Sequence, residues 1–524
     1  MDSSEKQITK LANYLITAFV QTEKHQDTGK ITVNTLVSKV AAWYEKLRNA
    51  MDYREEEVIL RASVERILKR RLLLGGDGQK VAEPLVRELV WAHYFTETNI
   101  SEAKIIEVGQ NIDVHLALRK LLIEDGQLSE KIVTEWMFHL LSASLEQLLI
   151  TNKKKAIIAN FMFHVVKENV DIIDDSEQTR DAQVFIAIRR SFAKDDLAFL
   201  RYYLFLQLFG SLTEKNLEEV ARGFMKGYEE ITYQLHYPRK DRIYSYVKNI
   251  TAVFFILEDL LNVYGSELKM LVKDQEAFKR AVFEACDARY AGVASKVRRA
   301  IARSVVFILL TKVFFAFGIE GAIETLLYGE VLWVSLAINT VIPPVLMILT
   351  SFFLLPPGRE NSQRIFSYLQ KVFFEERPQF DLLLSIYKTP VTRKSMDIMF
   401  NISWFLGFIL SFGILIFILS QLHFMIISQI IFLFFITIVS FLTYRIGIMS
   451  RIYRVEDKPG ILAPIADFFF MPIVRVGRNL TEGISQVNIF LFALDFIFET
   501  PFKGLFGFFE QLFFFLHAKR EELE

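Results

Sequence analysis

Apolar positions recur at steps of three and four residues from the start of the chain to about Arg299, where the pattern changes to long uninterrupted apolar runs. The clearest periodic stretch is Val33 to Arg71. There Leu36, Val40, Tyr44, Leu47, Met51, Val58, Ile67 and Leu68 fall on one stripe and predict amphipathic helix. Lys39, Glu45, Arg48, Arg54, Glu55, Glu56 and Glu57 lie off the stripe, as a solvated face with i,i+4 charge pairs requires. Ser101 before Glu102 and Glu107, Ser129 before Glu130, and Thr213 before Glu214, Glu218 and Glu219 read as N-caps with acid in the first turn. Asp195-Asp196 opens the run Leu197 to Phe209. Gly75-Gly76-Asp77-Gly78 lacks Walker spacing and a preceding strand, so it reads as a turn between helices. Roughly eight to ten helices and almost no strand are expected before residue 300.

Beyond that point four runs have the length of about 20 residues that a bilayer core requires: 304–328, 331–355, 398–420 and 424–444. Helices satisfy their own backbone groups in lipid, so the runs predict two transmembrane hairpins. The expected fold is all-α: a soluble helical domain over 1–300, a four-helix membrane region over 301–447 with a cytoplasmic loop at 356–397, and a re-entrant or interfacial Phe-rich tail over 448–524. Of the 49 Phe, 34 lie beyond residue 300. They mark that part as the lipid-facing one.

Charge sets the orientation. Lys296, Arg298, Arg299 and Arg303 precede the first run; Arg359, Arg364, Lys371, Arg377, Lys388, Arg393 and Lys394 lie between the hairpins; Arg445, Arg451, Arg454 and Lys458 follow the fourth. The tight turns Gly329-Glu330 and Gln421-Leu422-His423 carry no Lys or Arg. The positive-inside rule then places the N-terminal domain, the middle loop and Arg445 onward in the cytoplasm. Tyr328, Trp333, Trp404 and Tyr444 fall near the interfaces, as amphipathic ring anchors do. Over the whole chain 61 basic residues balance 61 acidic ones, which argues against nucleic acid as a partner. The lone Cys286 excludes an intrachain disulfide, and Met1 to Val20 lacks the pattern of a secretory signal.

Candidate chemistry concentrates in the apolar runs. Lys312, Glu320 and Glu324 are ionisable groups within the first crossing, about 80° separating Lys312 from Glu320 on a regular helix. Such groups mark pathways or pair within the bundle. Pro343-Pro344 frees the carbonyls of Asn339 and Thr340, which either coordinate a cation or are repaired by the side chains of Asn339 and Thr340. In the tail, Ser485, Asn488, Asp495, Glu499, Lys503, Glu510 and His517 form a narrow polar seam bent at Pro501. Asp495 or Glu499 is a candidate partner for Lys312. Pro464 and Pro472 break the segment before it.

The N-terminal part offers less. Its histidines His25, His93, His115, His139, His164 and His236 never fall at metal-ligand spacing. Asp171, Asp174 and Asp175 are dense enough for a divalent cation, but a loop leading to a helix N-terminus at Ser176-Glu177 accounts for them equally well. No nucleophile–base constellation is visible, and no cofactor is implied.

Two stretches carry a resemblance. Tyr44-Glu45-Lys46-Leu47-Arg48-Asn49, continuing to Ile67-Leu68-Lys69-Arg70-Arg71, and the tail Asp495-Phe496-Ile497-Phe498-Glu499-Thr500-Pro501-Phe502-Lys503 resemble the two ends of a bacterial family of multi-pass membrane proteins with no assigned function. The resemblance implies a bacterial inner membrane and no activity. The expected function is a non-enzymatic scaffold: a helical cytoplasmic domain, anchored in the lipid bilayer, that binds a protein partner. The alternative is a transporter or channel using Lys312, Glu320, Asn339 and Pro343. A metal-dependent enzyme built on the three aspartates ranks last.

Overall fold

In the computed structural model the described residues are 7–22, 58–73, 76–95, 101–150, 153–329, 333–352, 356–380, 383–388, 394–455 and 463–486, with the isolated positions 42, 45, 354, 508, 512 and 515. They are helical almost throughout, as the periodicity predicts.

α1 (Lys10–Gln21) starts at Thr9, whose hydroxyl accepts from the Ala12 amide. α2 (Ile59–Leu73) and α3 (Gly78–Trp91) are separated by the glycine turn, where Asp77 caps α3 by accepting from the Lys80 amide at 2.9 Å. A Cβ on Gly78 would stand 2.1 Å from the Gly109 carbonyl, so the third glycine of the motif serves close helix contact, not phosphate. α4 (Glu102–Asp125) is capped by Ser101 and stopped by Gly126 at φ +70°. α5 (Glu130–Leu149) follows Ser129, whose side chain makes no capping bond. α6 (Lys154–Val166), strand β1 (Val170–Ile172) and α7 (Glu177–Ile188) lead into a π-turn at Arg189–Ala193. Asp196 caps α8 (Leu197–Phe209), as read from the sequence. Thr213 does not cap the next helix: Asn216 holds the Thr213 amide, and α9 (Leu217–Leu235) starts after Asn216. α10 (Lys240–Tyr264) and the single turn α11 (Leu268–Leu271) complete this stretch.

Three apolar clusters hold these helices together. One lies among α2 to α5 around Leu85, Leu89 and Ile112; another joins α4 and α5 to α8 and α9 around Trp136, Phe205 and Phe224. The largest departs from the sequence reading. It combines α1, α6, α7 and α10 with the first part of α12 (Gln275–Phe315), and also takes in residues from the segment expected to be a loop at 356–397. That segment forms α15 (Arg359–Phe374), which follows α13 (Gly321–Tyr328) and α14 (Trp333–Ser351) in the chain. It buries Ile365, Phe366, Leu369, Val372 and Phe373 at the i, i+1, i+4, i+7, i+8 spacing of an amphipathic helix. Strand β2 (Leu384–Ile386) then pairs in parallel with β1, with Val170 opposite Leu384 and Ile172 opposite Ile386. A single core therefore contains chain from both ends of the first hairpin.

The expected boundary at residue 300 is not a break either. α12 runs unbroken for 41 residues, about 60 Å, from that core into the apolar region. It continues through a π-turn at Ala316–Glu320 into α13. Among the described residues, three helices are long and apolar enough to cross a membrane: Gln275–Ile323, most of α16 (Lys394–Gln421), and α17 (Ile426–Ser450). The remaining expected crossing, 331–355, is the 19-residue α14, whose apolar part Leu336–Thr350 is shorter. Exposure here is inverted relative to the body. Phe307, Phe314, Phe405 and Phe417 lie outside, while Lys312, Glu320, Asn339 and Ser428 are fully buried. Water penalises that arrangement and lipid favours it.

Of the tail, the longest described part is α18 (Ala463–Gln486), one helix running through Pro472 where an interrupted segment was expected. It packs on α16 and α17 with backbone-close contact: a Cβ on Gly477 would stand 2.0 Å from the Thr437 carbonyl, and the Ser411 hydroxyl donates to the Phe469 carbonyl at 2.8 Å. The candidates Asp495, Glu499 and Lys503 lie outside the described residues.

Candidate functional site

The π-turn decides which polar groups of the apolar helices meet. Eight regular helical steps would leave Lys312 and Glu320 about 80° apart; the extra residue of a π-turn takes up one step of about 100°, leaving them within about 20° on one face. The Lys312 Nζ then lies 3.8 Å from Glu320 Oε2, with both side chains at 0% exposure. The Phe435 ring of α17 covers the ammonium at 4.6 Å. From α14, Asn339 Nδ2 donates to Glu320 Oε1 at 2.6 Å and to the Ser428 carbonyl of α17 at 3.2 Å. The cluster thus joins α12, α13's entry, α14 and α17. Among the described residues, Lys312 Nζ, Glu320 Oε2 and Asn339 Oδ1 are buried without a hydrogen-bond partner. A buried ion pair of this kind depends on its own geometry to offset the cost of taking both charges out of water.

The other sequence candidates divide. Pro343 and Pro344 are buried inside α14, which runs on through them. The side chains expected to repair their freed carbonyls bond elsewhere: Asn339 to Glu320, and the Thr340 hydroxyl to the Leu336 carbonyl at 2.7 Å. Glu324 is in α13, but its side chain lies outside the described residues. Ser428 and Phe435 were not foreseen: one contributes a backbone carbonyl, the other a ring face, and neither function has a spacing signature. Lys312 pairs with Glu320; the tail candidates Asp495 and Glu499 lie outside the described residues.

The aspartate cluster is a clip between the two strands. Asp175 Oδ2 receives the Lys388 ammonium at 3.0 Å and the Tyr237 hydroxyl at 3.1 Å, while Asp174 Oδ1 accepts from the Lys388 amide at 2.5 Å. Among the described residues, no three His, Cys, Asp or Glu side chains stand together as a metal site.

Among the described residues, two clefts open on the helical body, and neither is lined by Lys312, Glu320 or Asn339. The larger, about 550 Å³, runs along α12 beside the end of α10, past Ala281, Ala288, Gly292 and Lys296. Arg289 forms its floor, held by both carboxylate oxygens of Asp259 at 2.5 Å and donating to the Tyr453 hydroxyl at 2.9 Å. Beside it, Asn361 of α15 donates to the Tyr290 hydroxyl and to the Tyr453 carbonyl, both at 2.7 Å, and accepts from the Val455 amide. That one amide fastens the chain leaving α17 to α12 and α15. The smaller cleft, about 270 Å³, lies between α4, α5 and α8.

A buried charge network crosses the body. Arg61 meets Glu65, Asp196 and Ser142, and Arg189 pairs with Asp195. Burial pushes the Glu146 carboxyl up to about 8, against the pull of Arg61 and with Asp195 and Asp196 adding to it. Burial likewise raises Asp195 to about 6 against Arg189.

No family model matches the chain, and no curated protein or solved structure matches it.

Proposed function

We propose that this chain is a multi-pass membrane scaffold: four helices cross a bilayer, and the helical body, at the cytoplasmic face of a bacterial inner membrane, holds a protein partner. The observation that carries the reading is the closure of the intramembrane cluster. Lys312, Glu320 and Asn339 close on one another at zero exposure, the ammonium 3.8 Å from one Glu320 oxygen and the Asn339 amide donating to the other. A conduit needs ionisable groups that exchange with water or cargo; a clasp needs groups that do not. The basic flanks and the shared core of α12 and α15 support a body on one face.

Photo-crosslinking in cells tests the partner. A crosslinker at exposed Val263 or at Gly292, in the larger cleft, is expected to give a discrete adduct, and one at exposed Glu124 none. Absence of any adduct from positions across the body would overturn the scaffold reading. The transporter alternative makes a different demand: flux in liposomes that Lys312→Met or Glu320→Gln abolishes.

A further inference from the structure

The smaller cleft is separate from the Lys312–Glu320 cluster, and among the described residues lining it the one carboxylate or Lys/Arg side chain is Glu107. Asn111 donates its Nδ2 to Ser144 Oγ at 3.0 Å, which leaves Oδ1 buried and without a partner. The Tyr202 hydroxyl reaches the same serine. His115, 3% exposed, places Nδ1 2.8 Å from the Asn111 carbonyl. A carbonyl only accepts, so Nδ1 carries the proton and Nε2 keeps a lone pair. Burial holds this imidazole neutral, with its pKa pushed down to about 4. Glu107 adds a carboxylate to the lining, about half exposed and 3.3 Å from Lys104. Tyr202 and Phe205 supply aromatic rings, and among the described residues lining the cleft none is Lys or Arg. Asn111 Oδ1 and His115 Nε2 are left as acceptors, while Gln147 and Ser211 add neutral groups that can donate or accept.

We propose that this cleft binds a small organic ammonium ion. Its N–H groups meet Asn111 Oδ1 and His115 Nε2, the Tyr202 and Phe205 rings take the charge and the alkyl part, and Glu107 supplies the counter-charge. At about 270 Å³ the space is just below the usual range for small-molecule sites, which starts near ~300 Å³, so the ion is compact.

Calorimetric titration of the full-length protein in lipid nanodiscs tests this, using butylammonium, butanol and butyrate as probes at pH 7. Butylammonium is expected to bind with a dissociation constant below the low millimolar range, at least fivefold tighter than butanol, with butyrate silent. Leu212→Trp, which fills the cleft without touching its polar groups, is expected to abolish binding. Asn111→Asp, nearly the same shape with a charge added, is expected to tighten it at least fivefold. Equal affinity for butanol or butyrate would overturn the proposal. So would undetectable butylammonium binding, or binding unchanged in both variants.

Discussion

Glu146 on α5 is 4% exposed and keeps one carboxylate oxygen without a hydrogen bond, although Arg61 lies near. Its folded value of about 8 exceeds the ordinary 4.5, so the folded protein holds an extra proton between those limits. Stability therefore falls as pH rises through that window. Glu65 has the opposite sign: burial raises it, but Lys69 and Arg61 outweigh burial and hold it down to about 2, so its contribution is lost only as pH falls below about 4.5. Glu146→Gln is expected to be near neutral at pH 4.5 and to stabilise by at least ~1 kcal/mol at pH 8, read by thermal unfolding across pH. A gain independent of pH would show that packing, not the proton, is responsible. The intramembrane pair gives a second contrast. Lys312→Met or Glu320→Gln alone leaves a buried charge unpaired and is expected to cost ~3 kcal/mol or more, whereas the double variant recovers most of that loss. Strictly additive losses would mean that the two charges do not interact. Both candidates stood out in the sequence because ionisable residues are rare in long apolar runs. Their pairing did not, since a regular helix turns them apart.

The missing step belongs to the element. A π-turn has no dependable sequence signature, and Ala316-Phe317-Gly318-Ile319-Glu320 reads as ordinary apolar helix. It is nevertheless a one-residue insertion, and that makes it testable. Deleting Gly318, which is exposed and whose added Cβ would meet nothing within 4 Å, converts the turn to regular helix. Seven regular steps then leave Lys312 and Glu320 about 20° apart, so the ion pair survives. Inserting one alanine beside Gly318 instead turns Glu320 away by about 100° and breaks the pair. The deletion is expected to unfold in detergent near the parent temperature and the insertion well below it. Equal losses would place the structural role of the turn elsewhere. α15 shows a different gap between pattern and fold. Its amphipathic spacing is plain in Ile365, Phe366, Leu369, Val372 and Phe373, yet its lysine- and arginine-rich surroundings read first as a loop on the positive side. The apolar spacing docks the segment in the shared core, and its charge is the ground for the proposed orientation.

Over the whole molecule, local pattern accounts for the helices and for the inverted exposure beyond residue 300, whereas the joining of distant segments is a property of the folded chain. Lys388 reaches Asp174 across 214 positions, with the first apolar hairpin between them. No periodicity encodes a partner so far away. The pairing has a strict consequence: β1 and β2 can lie in register only if the segments before and after the first hairpin end on the same face of the bilayer. Asp171 and Ser385 are directly opposed in that register and both exposed. Neighbouring strands stand about 4.8 Å apart, within the reach of a disulfide. Cys286 is buried and contributes no competing thiol. With Asp171→Cys and Ser385→Cys, and a protease site inserted after Gly329, oxidised protein cut at that turn is expected to run as one species without reductant. With reductant it is expected to separate into two fragments. Two fragments under both conditions, from protein that remains folded, would place the strands on opposite faces. The hairpin, the shared core and the orientation drawn from the basic flanks would then fall together.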